Sequence, residues 1–445
     1  MSRLAKRLPL LLIAAAVARA SAQMDLEAIQ GYASDSLGNP AAPEVGRSFF
    51  AAIRYRVAGP LSSTYRVRFE TTYCRMDTPP LAFGLGAPGE YTVVWGPIPV
   101  LMDRPVEVTA ILDFERRLRE SDRTDNKLSF TVVPRSPAAP IDQYDPEPFD
   151  AELGLTIAWR RGPLPTRLVV WTPDPPESRN QAVNTVALDG ATRDLAAPFG
   201  EGIQVLDLAY PGAGPHEFRL AFSGVASSVR VALGELTQSR FDDYQGVPDA
   251  AFWLAPETYV ESSHPEFARA VNQLLPTGFR TSLSPVEAAE RLYVGLLARC
   301  SYRLQFGAKP NAFATWRSRK GDCGGLSAAF VALCRAAGIP ARAVTGFLGG
   351  ANRWHVWAEF LDPRFGWVPV DPAFAEGRQP QASVPIYFGV IPELNKRVAT
   401  GLGFDREAMG LRAPILQSPA AFWFGARTNP SILRPFSSLS PASLP

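Results

Sequence analysis

Histidine is nearly missing from this 445-residue chain, which holds three, and cysteine is scarce at four. No Cys/His cluster of metal-ligand type and no glycine-rich phosphate loop occurs, so no cofactor is expected. Four cysteines are also too few for a disulfide-held scaffold. Only five of the 45 basic residues are lysine, and 45 basic against 43 acidic residues leave a net charge of +2. That balance supplies no basic field for nucleic acid or an anionic membrane surface. Beyond the N-terminus no run of about 18 apolar residues occurs, which excludes a multi-span helical membrane protein. The 42 prolines and 35 glycines are too many for a mostly helical protein, so strands, turns and linkers are expected. The length suits roughly three domains of about 150 residues, each with its own core.

What is present begins with an export pattern over 1–22. Arg3, Lys6 and Arg7 precede the apolar stretch Leu8 to Val17, and Ala20-Ser21-Ala22 offers a small-residue cleavage site. The apolar stretch is about half the ~20 residues a membrane span needs. The first cysteine is Cys74, so no lipid-modified cysteine follows the signal. A secreted or periplasmic protein is expected.

Residues 23–133 carry short alternating segments, among them Phe49 to Tyr55, Tyr65 to Phe69, Val106 to Leu112 and Leu128 to Val132. This spacing predicts an immunoglobulin-like β-sandwich. The closing stretch, Asp113…Glu120-Ser121-Asp122…Asp125-Asn126…Phe130, resembles the end of bacterial CARDB-type adhesion domains. Its acidic residues lack the spacing of a calcium loop and read as a solvated turn. Residues 134–148, with five prolines, read as a linker. A second β-rich region spans 149–245. Its Val169-Val170-Trp171-Thr172-Pro173-Asp174-Pro175, followed by Gln181, resembles the β domain that precedes the catalytic domain in transglutaminase-like proteins.

Between 246 and 400 the period turns helical. Ser284-Pro285 reads as a cap and first helical residue, ahead of Ala288, Leu292, Leu296 and Leu297. Leu326, Ala329, Phe330, Leu333, Cys334 and Ala337 keep one face apolar, and Gly338 stands where a C-cap belongs. Cys323 thus opens a helix, where free N–H groups and the helix dipole favour a thiolate. Two strands follow, Trp354 to Leu361 and Trp367 to Asp371, joined by the turn Asp362-Pro363-Arg364-Phe365-Gly366. If Leu361 pairs with Trp367, His355 is the diagonal neighbour of Asp371 on one face, about 7–8 Å away and within side-chain reach. A cysteine, an imidazole and a carboxylate so disposed suit acyl chemistry: nucleophile, proton carrier and orienter.

Gly321-Asp322-Cys323-Gly324-Gly325, Leu333 to Phe347, His355-Val356-Trp357-Ala358-Glu359-Phe360 and Gly366 to Pro372 together resemble the transglutaminase core, in the family's order. The resemblance implies a multidomain chain, two β-sandwich domains followed by an α+β papain-like core, with Cys323, His355 and Asp371 as the catalytic set. It leaves open hydrolysis of amide or peptide bonds and amine transfer, on a protein or peptide-like substrate with the cell envelope among the candidates, and a non-catalytic adhesion or scaffold role. Trp357 and Trp367 are expected as core or as pocket walls that exclude water, with Trp354 beside them as a further screen, and Glu359 as surface or supporting charge. The Cys323 backbone N–H is the expected oxyanion donor. Cys300 and Cys334 are expected to be paired or buried, and Cys74 free. Residues 401–445 read as an extension with a disordered end.

Overall fold

The computed structural model describes residues 24–441 apart from 84, 86, 186–191, 195–201, 305–310, 379–383, 405, 409–410, 414–416 and 427. The expected signal segment and the last four residues lie outside the described residues. The architecture is multidomain, two sheet-dominated units followed by a mixed α+β core. In the first unit a three-stranded sheet (Asp25–Ser34, Ser48–Ala58, Gly89–Pro99) faces a four-stranded one (Arg75–Asp77, Val67–Glu70, Val106–Leu112, Lys127–Val132). Val106, Val108, Ala110 and Leu112 are buried while Glu107 is exposed and Thr109 and Ile111 lie between, as a two-residue side-chain period requires.

The acidic turn after Leu112 is solvated only in part: Ser121 and Asp122 are exposed as expected, but other members are buried. Asp113 is buried and accepts the backbone N–H groups of Arg117 and Leu118, each at 2.9 Å. The Glu120 side chain is buried beside Arg123 at 3.1 Å, and Asn126 donates to it at 2.8 Å. Among the described residues no group of three His, Cys, Asp or Glu is placed to hold a metal. Burial pushes the Glu120 carboxyl from an ordinary 4.5 up to about 7, against the Asn126 bond and the Arg123 charge. Folding therefore takes up a proton between those two values. This stabilising contribution is complete below 4.5 and is lost as pH rises through 7. Glu120→Gln, which mimics the protonated acid, is expected to raise Tm at pH 8 by about 2 °C or more and leave it unchanged at pH 4. An unchanged Tm at pH 8 contradicts this reading.

The second β unit closes on itself through the far end of the chain. One sheet orders Gln181–Thr185, His216–Val231, Ile141–Ala158 and Ile432–Pro441; the other orders Thr192–Asp194, Gly202–Ala209, Arg167–Asp174 and Ala420–Phe424. Two boundaries read from the sequence therefore change. Residues 141–148, read as linker, are strand, with Ile141 opposite Val231. Their prolines are tolerated because Pro146 falls at a break in register between Tyr144 and Glu147, and Pro148 lies where one flank of the strand is unpaired. Much of the expected extension, 420–424 and 432–441, is likewise strand.

In the core, helices Pro265–Leu274, Pro285–Arg299 and Cys323–Ala337 pack against a sheet ordered Gly366–Val370, Trp354–Asp362, Ala341–Leu348, Arg397–Leu402. Ser284 caps its helix as expected, with its own N–H donating to Glu287 at 2.7 Å in a capping box. The core is not separate from the first unit. One continuous apolar cluster runs from Phe69 and Leu101 to Tyr293 and Phe330. The Tyr387 N–H donates to the Leu101 carbonyl at 3.2 Å and the Leu233 N–H to Asp103 at 3.1 Å. No described helix is long and apolar enough to cross a membrane.

Candidate active site

Cys323 is the first residue of helix Cys323–Ala337. Asp322 caps that helix by accepting the Gly325 N–H at 2.9 Å, and Gly338 ends it at φ 87°, a left-handed conformation that suits glycine. The helix was expected to bury one face; it is buried nearly all round, Gly324 to Arg335 without a break. It is the central rod of the core, and Arg335 is accommodated by Glu257 at 2.6 Å and the Ala341 carbonyl at 2.8 Å. One turn along, Ser327 Oγ donates to the Val356 carbonyl at 3.2 Å, tying the cysteine helix to the strand that bears His355.

The hairpin has the register that the sequence suggested, Leu361 opposite Trp367 and Ala358 opposite Val370. His355 Nε2 and Asp371 Oδ2 lie 2.8 Å apart, with both side chains buried. Asp371 Oδ1 accepts the N–H groups of Ala373 at 3.1 Å and Phe374 at 2.9 Å, which also satisfies the start of helix Pro372–Arg378. Burial raises the Asp371 carboxyl, but the charges of His355 and Arg397 outweigh it and hold it at about 2.

Cys323 and His355 line one cleft of about 880 Å³ together with Tyr302, Asp322, Asn352, Arg353, Trp354, Phe374, Arg378, Tyr387, Glu393 and Gln417. The sulfur is half-buried. Burial and the Asp322 charge push the thiol up to about 12, while the Val356 and Gly324 N–H groups act in the opposite sense. The helix terminus thus favours the thiolate as expected, but desolvation is the larger effect.

Several residues at the cleft gave no signal in sequence. Arg397, 1% exposed, donates from Nη1 to Asp371 Oδ2 at 2.5 Å. Tyr302 pairs with Gly321, two residues before Cys323, in a short parallel ladder. Burial, then the charges of Cys323, Asp322 and Asp371, raise its phenol, which stays a donor. Gln417 Nε2 donates to the carbonyls of His355 at 2.9 Å and Gly346 at 3.0 Å. Of the three tryptophans Trp354 lines the cleft, while Trp357 and Trp367 take the core alternative. Trp357 is fully buried, stacked 6.3 Å from the His355 ring. Trp367 packs away from the cleft, on Trp253 and under Arg342. Glu359 is not a surface charge: it is buried and paired with Arg342 at 2.7 Å. All four cysteines are free, Cys300 and Cys334 buried and Cys74 half-buried.

Comparison with known proteins gives the family context. The model of the transglutaminase-like superfamily matches residues 273–372. A protein-glutamine gamma-glutamyltransferase of Pseudomonas aeruginosa is 38% identical over 69 residues, covering 13% of this chain. The aligned part spans only 10% of that relative's length. Among solved structures, a candidate cysteine protease from Cytophaga hutchinsonii overlays with TM-score 0.46 at 14% identity, covering 68% of this chain and 94% of the other. A CARDB domain from Pyrococcus furiosus overlays with TM-score 0.19 at 17% identity, covering 25% of this chain and 93% of the other. The segment that carries Cys323, His355 and Asp371 is thus a transglutaminase-core superfamily domain.

Proposed function

We propose that this protein is an exported cysteine enzyme that cleaves or exchanges amide bonds in a protein or peptide-like substrate through a thioester on Cys323. The observation that carries the reading is the meeting of Cys323 and His355 in one cleft, with Asp371 2.8 Å from the far ring nitrogen of His355. In this reading Cys323 Sγ attacks the amide carbonyl as its proton passes to His355. His355 then protonates the leaving amine, and water or a second amine resolves the thioester. Asp371 fixes the ring orientation by holding Nε2, which leaves Nδ1 for the sulfur side.

The Cys323 backbone N–H and the Tyr302 hydroxyl are the donors proposed for the developing oxyanion. Tyr302→Phe is expected to lower kcat about a hundredfold with little change in KM, the loss typical of one such donor. A KM effect alone makes Tyr302 a binding residue instead.

Hydrolysis or exchange is favoured over cross-linking because the cleft is mixed in charge. Arg353 and Arg378 stand against Asp322 and Glu393, with no acidic cluster among the described residues to collect a lysine side chain. The local identity to a gamma-glutamyltransferase favours the second reading, amine transfer. Incubating the protein with a glutamine-containing protein and a labelled primary amine separates the two. Release of free acid that is lost in Cys323→Ala supports hydrolysis. Label incorporation faster than acid release, and lost in the same variant, establishes transfer. Activity that survives Cys323→Ala removes the thiol reading altogether.

A further inference from the structure

We propose that Arg397 is a positioning residue whose charge cancels that of Asp371, so that the proton shared by Cys323 and His355 rests on sulfur until a substrate is bound. The inference rests on the triad reading above. Arg397 comes from strand Arg397–Leu402, opposite Leu348 and 26 residues beyond Asp371. Its Nη1 and His355 Nε2 share the same carboxylate oxygen, at 2.5 and 2.8 Å. The other oxygen is taken by the Ala373 and Phe374 N–H groups, so the carboxylate is held from four sides.

A buried guanidinium is costly unless its partner compensates it. Arg397 Nε and Nη2 have no hydrogen-bond partner, which leaves Asp371 as its one ionic anchor among the described residues. The guanidinium is clamped 4.5 Å from the Phe374 ring and 5.7 Å from that of Trp357, the ring that also stacks on His355. The cation and the imidazole are therefore fixed on either side of one carboxylate oxygen.

Alone beside His355, Asp371 would favour an imidazolium, and an imidazolium would draw the proton from Cys323. Arg397 offsets that field at its source. Of the other groups facing this set, Asp322 opposes a thiolate from the cysteine helix, and Tyr302, Tyr293 and Tyr387 are phenols kept protonated by burial. Arg378 and Glu393 stand further along the cleft near Tyr387. The high position of the Cys323 thiol agrees with a proton on sulfur. Attack then forms the S–C bond while the S–H proton moves to His355. The same proton reaches the leaving nitrogen as the C–N bond breaks, giving thioester and free amine.

The test is the rate of Cys323 alkylation by iodoacetamide in the full chain between pH 5 and 10, read by peptide mass mapping. It requires no turnover, so it is independent of whether Cys323→Ala abolishes activity. The wild-type rate is expected to climb steadily into the alkaline range without a plateau between pH 5 and 8. Arg397→Met is expected to alkylate about tenfold faster at pH 6, and Arg397→Lys at the wild-type rate. Should Arg397→Met fail to fold, Asp371→Asn carries the comparison: it leaves Arg397 uncancelled and is expected to slow alkylation, which the double variant Asp371→Asn/Arg397→Met restores. A wild-type plateau at acid pH, an Arg397→Met rate no higher than wild type, or no restoration in the double variant overturns the proposal.

Discussion

Replacing His355 with Ala is expected to cut turnover about a thousandfold to ten-thousandfold while the fold survives. The imidazole is the one described group placed to carry a proton between the cleft sulfur and a leaving nitrogen, and general acid–base help is worth about 10²–10⁴ in rate. Its ring packs between Trp357 and Phe374, and its backbone is pinned independently by Gln417. Losing the ring therefore opens a small cavity, costing about 2 kcal/mol, without unpairing the strand. Adding Cys323→Ala to His355→Ala is expected to change the residual rate little, because nucleophile and proton carrier act as a unit. Acid release or label incorporation from the substrate protein, together with the far-UV circular dichroism of each variant, checks both statements. A single variant within tenfold of wild type would remove His355 from the mechanism.

Asp371→Ala is expected to damage stability as much as activity. Four donors converge on this carboxylate. Its removal leaves the Arg397 guanidinium buried and unpaired, at about 3–5 kcal/mol. It also frees two N–H groups at the start of Pro372–Arg378, a lost cap worth about 1 kcal/mol. The wild-type carboxyl is held near 2, so its ionised state favours folding above the ordinary carboxylate range, and that contribution fades as pH falls from about 3.8 through 2. Urea unfolding at pH 7 is expected to show most of that loss for Asp371→Asn as well, because Asn keeps the shape and the cap but not the charge that compensates Arg397. A much smaller loss for Asp371→Asn than for Asp371→Ala would mean that the charge on Asp371 does not hold Arg397 in place.

The parts of this molecule legible from sequence are those that local rules decide. Ser284-Pro285 and Gly338 behind Ala337 each mark a helix end within a few residues of chain. The His355–Asp371 contact was legible because a five-residue turn sets the hairpin register, and register sets the face. Arg397 was not, since nothing near it in sequence says which carboxylate it will meet across the sheet. The strand Ile432–Pro441 was missed for a related reason. It carries no clear periodicity, and its two prolines are harmless only because it is an edge strand, a status that depends on the distant strand Ile141–Ala158. For Trp367 and Glu359 the choice between core and cleft, and between surface and buried charge, stayed open because alternation gives the face of a strand, not what packs against it.

The return of the chain's last strands to the second β unit sets a timetable for synthesis. Strands laid down between Ile141 and Val231 wait for Ala420–Phe424 and Ile432–Pro441 before either sheet has all its members. At about 5–20 residues per second, the roughly 190 residues between Val231 and Ala420 occupy about 10–40 s of translation. In the later part of that interval, once Cys323 and His355 have been made, the cleft still lacks Gln417, which braces the backbone of His355. A nascent chain therefore carries Cys323 well before the brace arrives, and in the proposed reading competence comes only as these strands dock.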